Sequence, residues 1–134
     1  MGGKTGNVTR LPLRERARTD PVQILKLRRE LGAAGAALVM QRRVEAITAA
    51  LVRMEAMRIP DRTADQAERF RGACRRLGRM AAEVGLVRIA RVAEDVLLLS
   101  RGADATADAA AWARLLRLCA AAMGTETAIR QGQL

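Results

Sequence analysis

The sequence predicts an all-α protein, and three observations carry that prediction. Half of the 134 residues are hydrophobic, yet Phe70 and Trp112 are the only aromatic ones. The apolar mass is therefore Ala, Leu, Val and Met, which favour helix. Apolar residues recur at three- and four-residue spacing along most of the chain, whereas no β-branched run alternates with period two. The length matches a single domain with room for a real core.

Residues 1–19 read as a flexible basic tail, with Gly2, Gly3, Gly6 and Pro12 among Lys4, Arg10, Arg14, Arg16 and Arg18. The run Gly2-Gly3-Lys4-Thr5-Gly6 lacks the first glycine and the preceding strand of a phosphate loop, so no nucleotide site is expected there. Asp20-Pro21 opens a first, short helix. Asp20 caps, Pro21 takes the first helical position, and Gln23 falls where a capping box needs it. Gly32 to Gly35 should break that helix, the alternative being one continuous helix with a kink there. A second helix is expected from Ala36 to Arg58, with Met40, Val44, Ile47, Leu51 and Met54 on one stripe. Ile59-Pro60-Asp61 ends it, because a residue before proline avoids the helical region.

Thr63 and Gln66 form a capping box for a third helix reaching Val84. Its core stripe is Phe70, Ala73, Cys74, Leu77, Met80, Ala81 and Val84. Its opposite stripe carries Glu68, Arg71, Gly72, Arg75, Arg79 and Ala82. Arg71, Arg75 and Arg79 stand one turn apart, a like-charge stack that costs an isolated helix about 0.2–0.5 kcal/mol per pair. Gly85 stops this helix and a fourth starts at Leu86, with Val96 to Leu99 apolar all round. Asp104, Thr106 or Asp108 caps a fifth helix bearing Trp112, Leu115, Leu118 and Cys119, and Gly124 breaks it. Short links make consecutive helices antiparallel neighbours. The expected architecture is an up-down four-helix bundle over residues 20–124 with an additional short N-terminal helix. Residues 125–134 read as a frayed C-terminal tail.

Twenty-four basic residues against fourteen acidic ones give a net charge of +10. Half of that excess lies between Glu68 and Arg91. Joint enrichment of Arg and Ala is what a GC-rich coding bias produces, and the resulting surface attracts polyanions or acidic proteins. The chain has no His, so it lacks the usual general base at neutral pH. No Cys cluster has zinc spacing. Glu94 and Asp95 are adjacent, which turns them about 100° apart on a helix and prevents a facing carboxylate pair. Neither an enzyme, a metal nor a cofactor is expected. Cys74 and Cys119 fall on apolar stripes and read as core thiols. No secretory leader or 18-residue apolar run is visible, so a cytoplasmic protein without membrane contact is expected.

The run Cys74-Arg75-Arg76-Leu77-Gly78-Arg79-Met80-Ala81-Ala82-Glu83-Val84-Gly85 resembles the third-helix signature of the histidine-containing phosphotransfer (HPt) domains of bacterial phosphorelays. That signature reads Ala-His-x-Leu-Lys-Gly-Ser-Ala, then a small gap and Leu-Gly. Leu77 takes the place of its Leu, Ala81 of its small residue, and Val84-Gly85 of its Leu-Gly. Val92-Ala93-Glu94 is similar to the Leu-Glu that closes the next helix. The similarity spans about 80 residues, from Val44 to Met123. It implies an antiparallel helical bundle whose partners are response-regulator receiver domains.

The family's phosphoacceptor His falls on Arg75. A one-residue shift would put Cys74 there, but Cys74 borders the core stripe, whereas Arg75 lies opposite it. An Arg stays protonated and has no free lone pair to accept a phosphoryl group. The position of the family's Gly, four residues on, is Arg79. The resemblance thus implies a catalytically inert HPt-like module. It would bind a receiver domain in two-component signalling through Glu68, Arg71, Gly72, Arg75, Arg79 and Ala82, without accepting phosphate. Arg is suited to the acidic pocket of such a partner. A different reading is a basic helical protein that binds nucleic acid, supported by charge but not by stacking aromatics. Val96 to Leu99, together with Val52, Met57 and Ile59, offer spare apolar surface through which a homodimer would form.

Overall fold

The computed structural model describes residues 18–132, so residues 1–17 of the tail expected over 1–19 lie outside them. The fold is all-α, with no strand among the described residues. Helix α1 spans Pro21–Ala56, α2 Ala64–Glu83, α3 Val87–Leu99, α4 Ala105–Ala121 and α5 Thr125–Arg130.

The span Pro21–Ala56 is two helical arms that meet at Gly32, inside the expected break at Gly32 to Gly35. Gly32 has φ 76° and ψ 168°, a non-helical conformation that only glycine adopts freely. Gly35 remains helical, and a Cβ there would come within 2.9 Å of the Leu31 Cβ. The corner therefore sits at Gly32 alone, while Gly35 leaves room for the turn before it. The longer arm ends at Ala56, so Arg58, expected inside the helix, lies beyond it.

The cap chemistry follows the residues. Asp20 Oδ1 accepts from the Val22 N–H at 3.0 Å. Thr63 and Gln66 exchange both bonds of their capping box, at 2.8 and 3.1 Å. Asp104 is the cap of α4, accepting from the Ala107 N–H at 2.9 Å. Gln23 departs from the capping-box expectation, because its Nε2 donates to the Glu83 carbonyl at 3.0 Å. That carbonyl is a C-terminal orphan of α2, so the bond satisfies one helix end with the side chain of another element.

The long arm of α1 contacts α2 and α4, and α3 contacts the same two helices. Pairings along the two seams of α1 fix their directions. On the α1–α2 seam, Arg43 reaches Met80 while Met57 lies beside Gly72. On the α1–α4 seam, Glu55 meets Trp112 and Arg58 meets Asp108. On the α2–α3 seam, Gly78 lies against Ala90 and Ala93. Both seams of α1 are antiparallel, as a four-helix up-down bundle requires. The core runs along its axis, with Met40, Ile47, Phe70, Leu77, Ile89, Val96 and Leu115 essentially inaccessible.

The C-terminal segment corrects an expectation. Residues 125–134 read as frayed, yet Thr125–Arg130 is helical and Ile129 is fully buried. Helix α5 packs on α1, and Ile24 of the short N-terminal arm is likewise buried. Six residues with one large apolar side chain carry too weak a periodic signal to be read as a helix, since isolated helices of that length do not persist in water. Burial of Ile129 supplies what propensity does not.

Gly85 ties the short arm to the bundle. Its φ is +80°, and its carbonyl accepts from the Asp20 N–H at 2.8 Å. A Cβ at this position would stand 3.1 Å from the Gln23 Cβ. Conformation and close approach both demand glycine here.

No helix among the described residues is long and apolar enough to cross a membrane. The surface expected for self-association is divided. Val96 is a core residue, whereas Leu98 is 58% exposed, Val52 69% and Ile59 45%.

Candidate functional site on helix α2

The sequence places Glu68, Arg71, Gly72, Arg75, Arg79 and Ala82 on one stripe, and α2 turns that stripe away from the buried Cys74, Leu77 and Ala81. Glu68, Arg79 and Ala82 are exposed, while Arg71, Gly72 and Arg75 are half-buried. The stripe is not a bare row of cations. Glu68 Oε1 accepts from Arg71 Nε at 3.1 Å and Nη2 at 3.0 Å. Its other oxygen accepts from Arg75 Nη1 at 3.2 Å. One carboxylate thus sits between two guanidiniums of the like-charge stack and offsets their repulsion. The hydrogen bond from Arg75, followed by that from Arg71, holds the Glu68 carboxyl below its ordinary pKa.

Arg79 stands apart from this clamp. With Arg53 and Arg76 it borders a groove of about 330 Å³ between α1 and α2. Arg76 was absent from the stripe because its position projects about 100° around the helix from Arg75. Arg76 folds back over Gly72, where a Cβ would lie at ordinary contact distance, 3.5 Å, from its Nη1. Glu83, which also lines the groove, pairs with Arg43 of α1, and Arg43 donates to the Met80 carbonyl at 3.1 Å.

Helical periodicity alone does not reveal a second cluster, which joins the first half of α2 to α4. Arg58 ion-pairs with Asp108 at 2.9 Å and lies 5.5 Å from the Phe70 centroid and 4.9 Å from that of Trp112. Arg62 covers Phe70 at 5.0 Å. Trp112 Nε1 donates to Glu55 at 2.7 Å. The signal available in the sequence was the scarcity of aromatics: two rings in a chain rich in Arg invite cation–π contacts.

Both cysteines are buried thiols. Burial pushes Cys74 up to about 11 and Cys119 up to about 12. Neither serves as a nucleophile near neutral pH, because the thiolate is the reactive form. No group of three or more His, Cys, Asp or Glu residues among those described is placed to hold a metal ion.

These features define an all-α bundle with a charged helix face flanked by a groove. No protein-family model matches the chain, and neither the curated proteins nor the solved structures include a significant match.

Proposed function

We propose that the chain is a catalytically inert, HPt-like docking module whose α2 face binds the receiver domain of a response regulator in two-component signalling. The carrying observation is the placement of Arg75. It lies midway along α2, its side chain is 39% exposed, and Cys74 and Leu77 beside it point into the core. In the resemblance drawn from the sequence, this is the position of the phosphoacceptor imidazole. A guanidinium there meets acidic groups without accepting phosphate. The module would tether or sequester its partner in the cytoplasm.

Receiver domains encoded by the same organism, titrated against the purified chain by calorimetry at low ionic strength, test this reading. The expected result is saturable one-to-one binding to at least one of them, weakened by salt. A phosphorylated receiver should keep its phosphoryl group when the chain is added. Absence of binding to every receiver tested removes the reading. A salt-dependent shift of duplex DNA in its place would favour a nucleic-acid partner.

A further inference from the structure

We infer that the α1–α2 groove beside the Arg75 stripe is a docking slot for an acidic, amphipathic helix of a partner protein. Small residues create the opening, with Ala50 on α1 facing Ala73 on α2. Its apolar lining is Met54, Met57 and Met80, side chains that reshape around an inserted apolar group. Three guanidiniums border it: Arg53 from α1, and Arg76 and Arg79 from α2. All three are exposed, and none has an ion pair or a hydrogen-bonded carboxylate among the described residues. Glu83, the acid lining the groove, is engaged by Arg43. Arg71 and Arg75 are in contrast already bound to Glu68.

The unsatisfied positive charge of this face therefore lies around an apolar slot. That combination is complementary to a helix presenting a Leu or Met with carboxylates one turn to either side. The groove also continues along the seam. Met57 and Arg76 line a second opening of about 470 Å³ with Asp65, Glu68, Arg69 and Gly72. A partner helix lying along the seam would thus meet Arg53, Arg76 and Arg79 at one end and a mixed rim of Asp65, Glu68 and Arg69 at the other. The basic residues of the N-terminal tail are repelled by the same three arginines, which disfavours that tail as the occupant.

This inference rests on the reading of the chain as a docking module, but not on the receiver identity. The probe is a fluorescein-labelled helical peptide with Leu at i, i+3, i+4 and i+7 and Glu at most other positions. Anisotropy is read at low salt against the full chain, the pair Arg53→Glu/Arg76→Glu, and the pair Arg71→Glu/Arg75→Glu. Binding that falls by about tenfold or more in the groove pair, and by less than about threefold in the stripe pair, supports the groove. Equal losses in both pairs would mean attraction to net charge alone and overturn it. Unchanged affinity when the peptide's Leu residues become Ser overturns it as well, as does the absence of binding. Circular dichroism of each variant verifies the fold, and amide shifts at Ala50 and Ala73 report contact directly. A receiver that binds wild type but loses affinity only in the stripe pair would keep the proposed function and remove this inference.

Discussion

Arg58 holds its guanidinium 4.9 Å from the Trp112 ring centroid while donating to Asp108 at 2.9 Å. The side chains of this ion pair are only 15% and 20% exposed. One residue just past the end of α1 thereby clamps the start of α4 and, through Phe70, the middle of α2. Arg58→Ala would strand Asp108 and remove two cation–π contacts, so a loss of about 2–3 kcal/mol is expected. Arg58→Lys should recover part of it, because a point charge lacks the planar face that stacks. Urea unfolding followed by Trp112, the sole tryptophan, measures both. A loss below about 0.5 kcal/mol in the Ala variant would show the cluster to be incidental.

Two glycines of α2 and its exit should respond in opposite directions. At Gly85, φ is +80° and a new Cβ would crowd Gln23 at 3.1 Å. Gly85→Ala should cost about 1–2 kcal/mol. At Gly78 a Cβ would meet the Ala90 carbonyl and the Ala93 Cβ at ordinary contact distance, 3.8 Å. Gly78→Ala should stabilise by about 0.5–1 kcal/mol, since the backbone is already helical. Thermal melts of the two variants check the signs.

Helix α5 should be integral to stability. Ile129 is fully buried, so Ile129→Ala is expected to cost about 2–4 kcal/mol. Hydrogen exchange should then accelerate first in the short arm of α1, around Ile24. Unaltered stability would mean that α5 packs only loosely.

The thiols predict a dependence on pH. Both folded-state values lie above the ordinary 9.0, at about 11 and about 12, because burial disfavours the thiolate. The unfolded chain loses these protons first as pH rises. Their contribution to stability is therefore full below pH 9 and declines from there toward pH 11–12. Cys74→Ala/Cys119→Ala should flatten that decline, whatever it does to stability at pH 7. At pH 8 the native thiols should resist an aromatic disulfide reagent and react on unfolding.

Glu68 is the lever on the Arg71–Arg75 clamp. Its pKa is held below 4.5 by those arginines, so the clamp is intact at neutral pH and is lost only as pH falls through that depressed value. Glu68→Gln removes the charge at pH 7 and frees both guanidiniums. Affinity for an acidic receiver surface should rise by about two- to fivefold in this variant if the stripe participates in docking. A fall would assign Glu68 itself to the contact.

Fold class, caps and core stripe were legible in the sequence because each depends on neighbours within a few positions. The Thr63–Gln66 box and the buried series from Phe70 to Ala81 need only helical periodicity. The outward position of Arg75 follows from the same arithmetic. What surrounds that position could not be read this way. Whether Arg75 is bare or held depends on side-chain reach over two turns, and the choice between Arg75 and Arg76 as the available cation depends on where α1 lies.

The sequence by itself determined an all-α chain, the start of nearly every helix, and a basic outer face on α2, since local hydrogen bonding and a 3.6-residue period dictate them. Only the tertiary structure decided that the break between the first two helices falls at Gly32 and leaves Gly35 helical. It alone showed that Thr125–Arg130 is a packed helix and that Met54, Met57 and Met80 line a groove bordered by Arg53, Arg76 and Arg79. Those outcomes arise between residues far apart in the chain, where burial of one side chain by another outweighs local propensity.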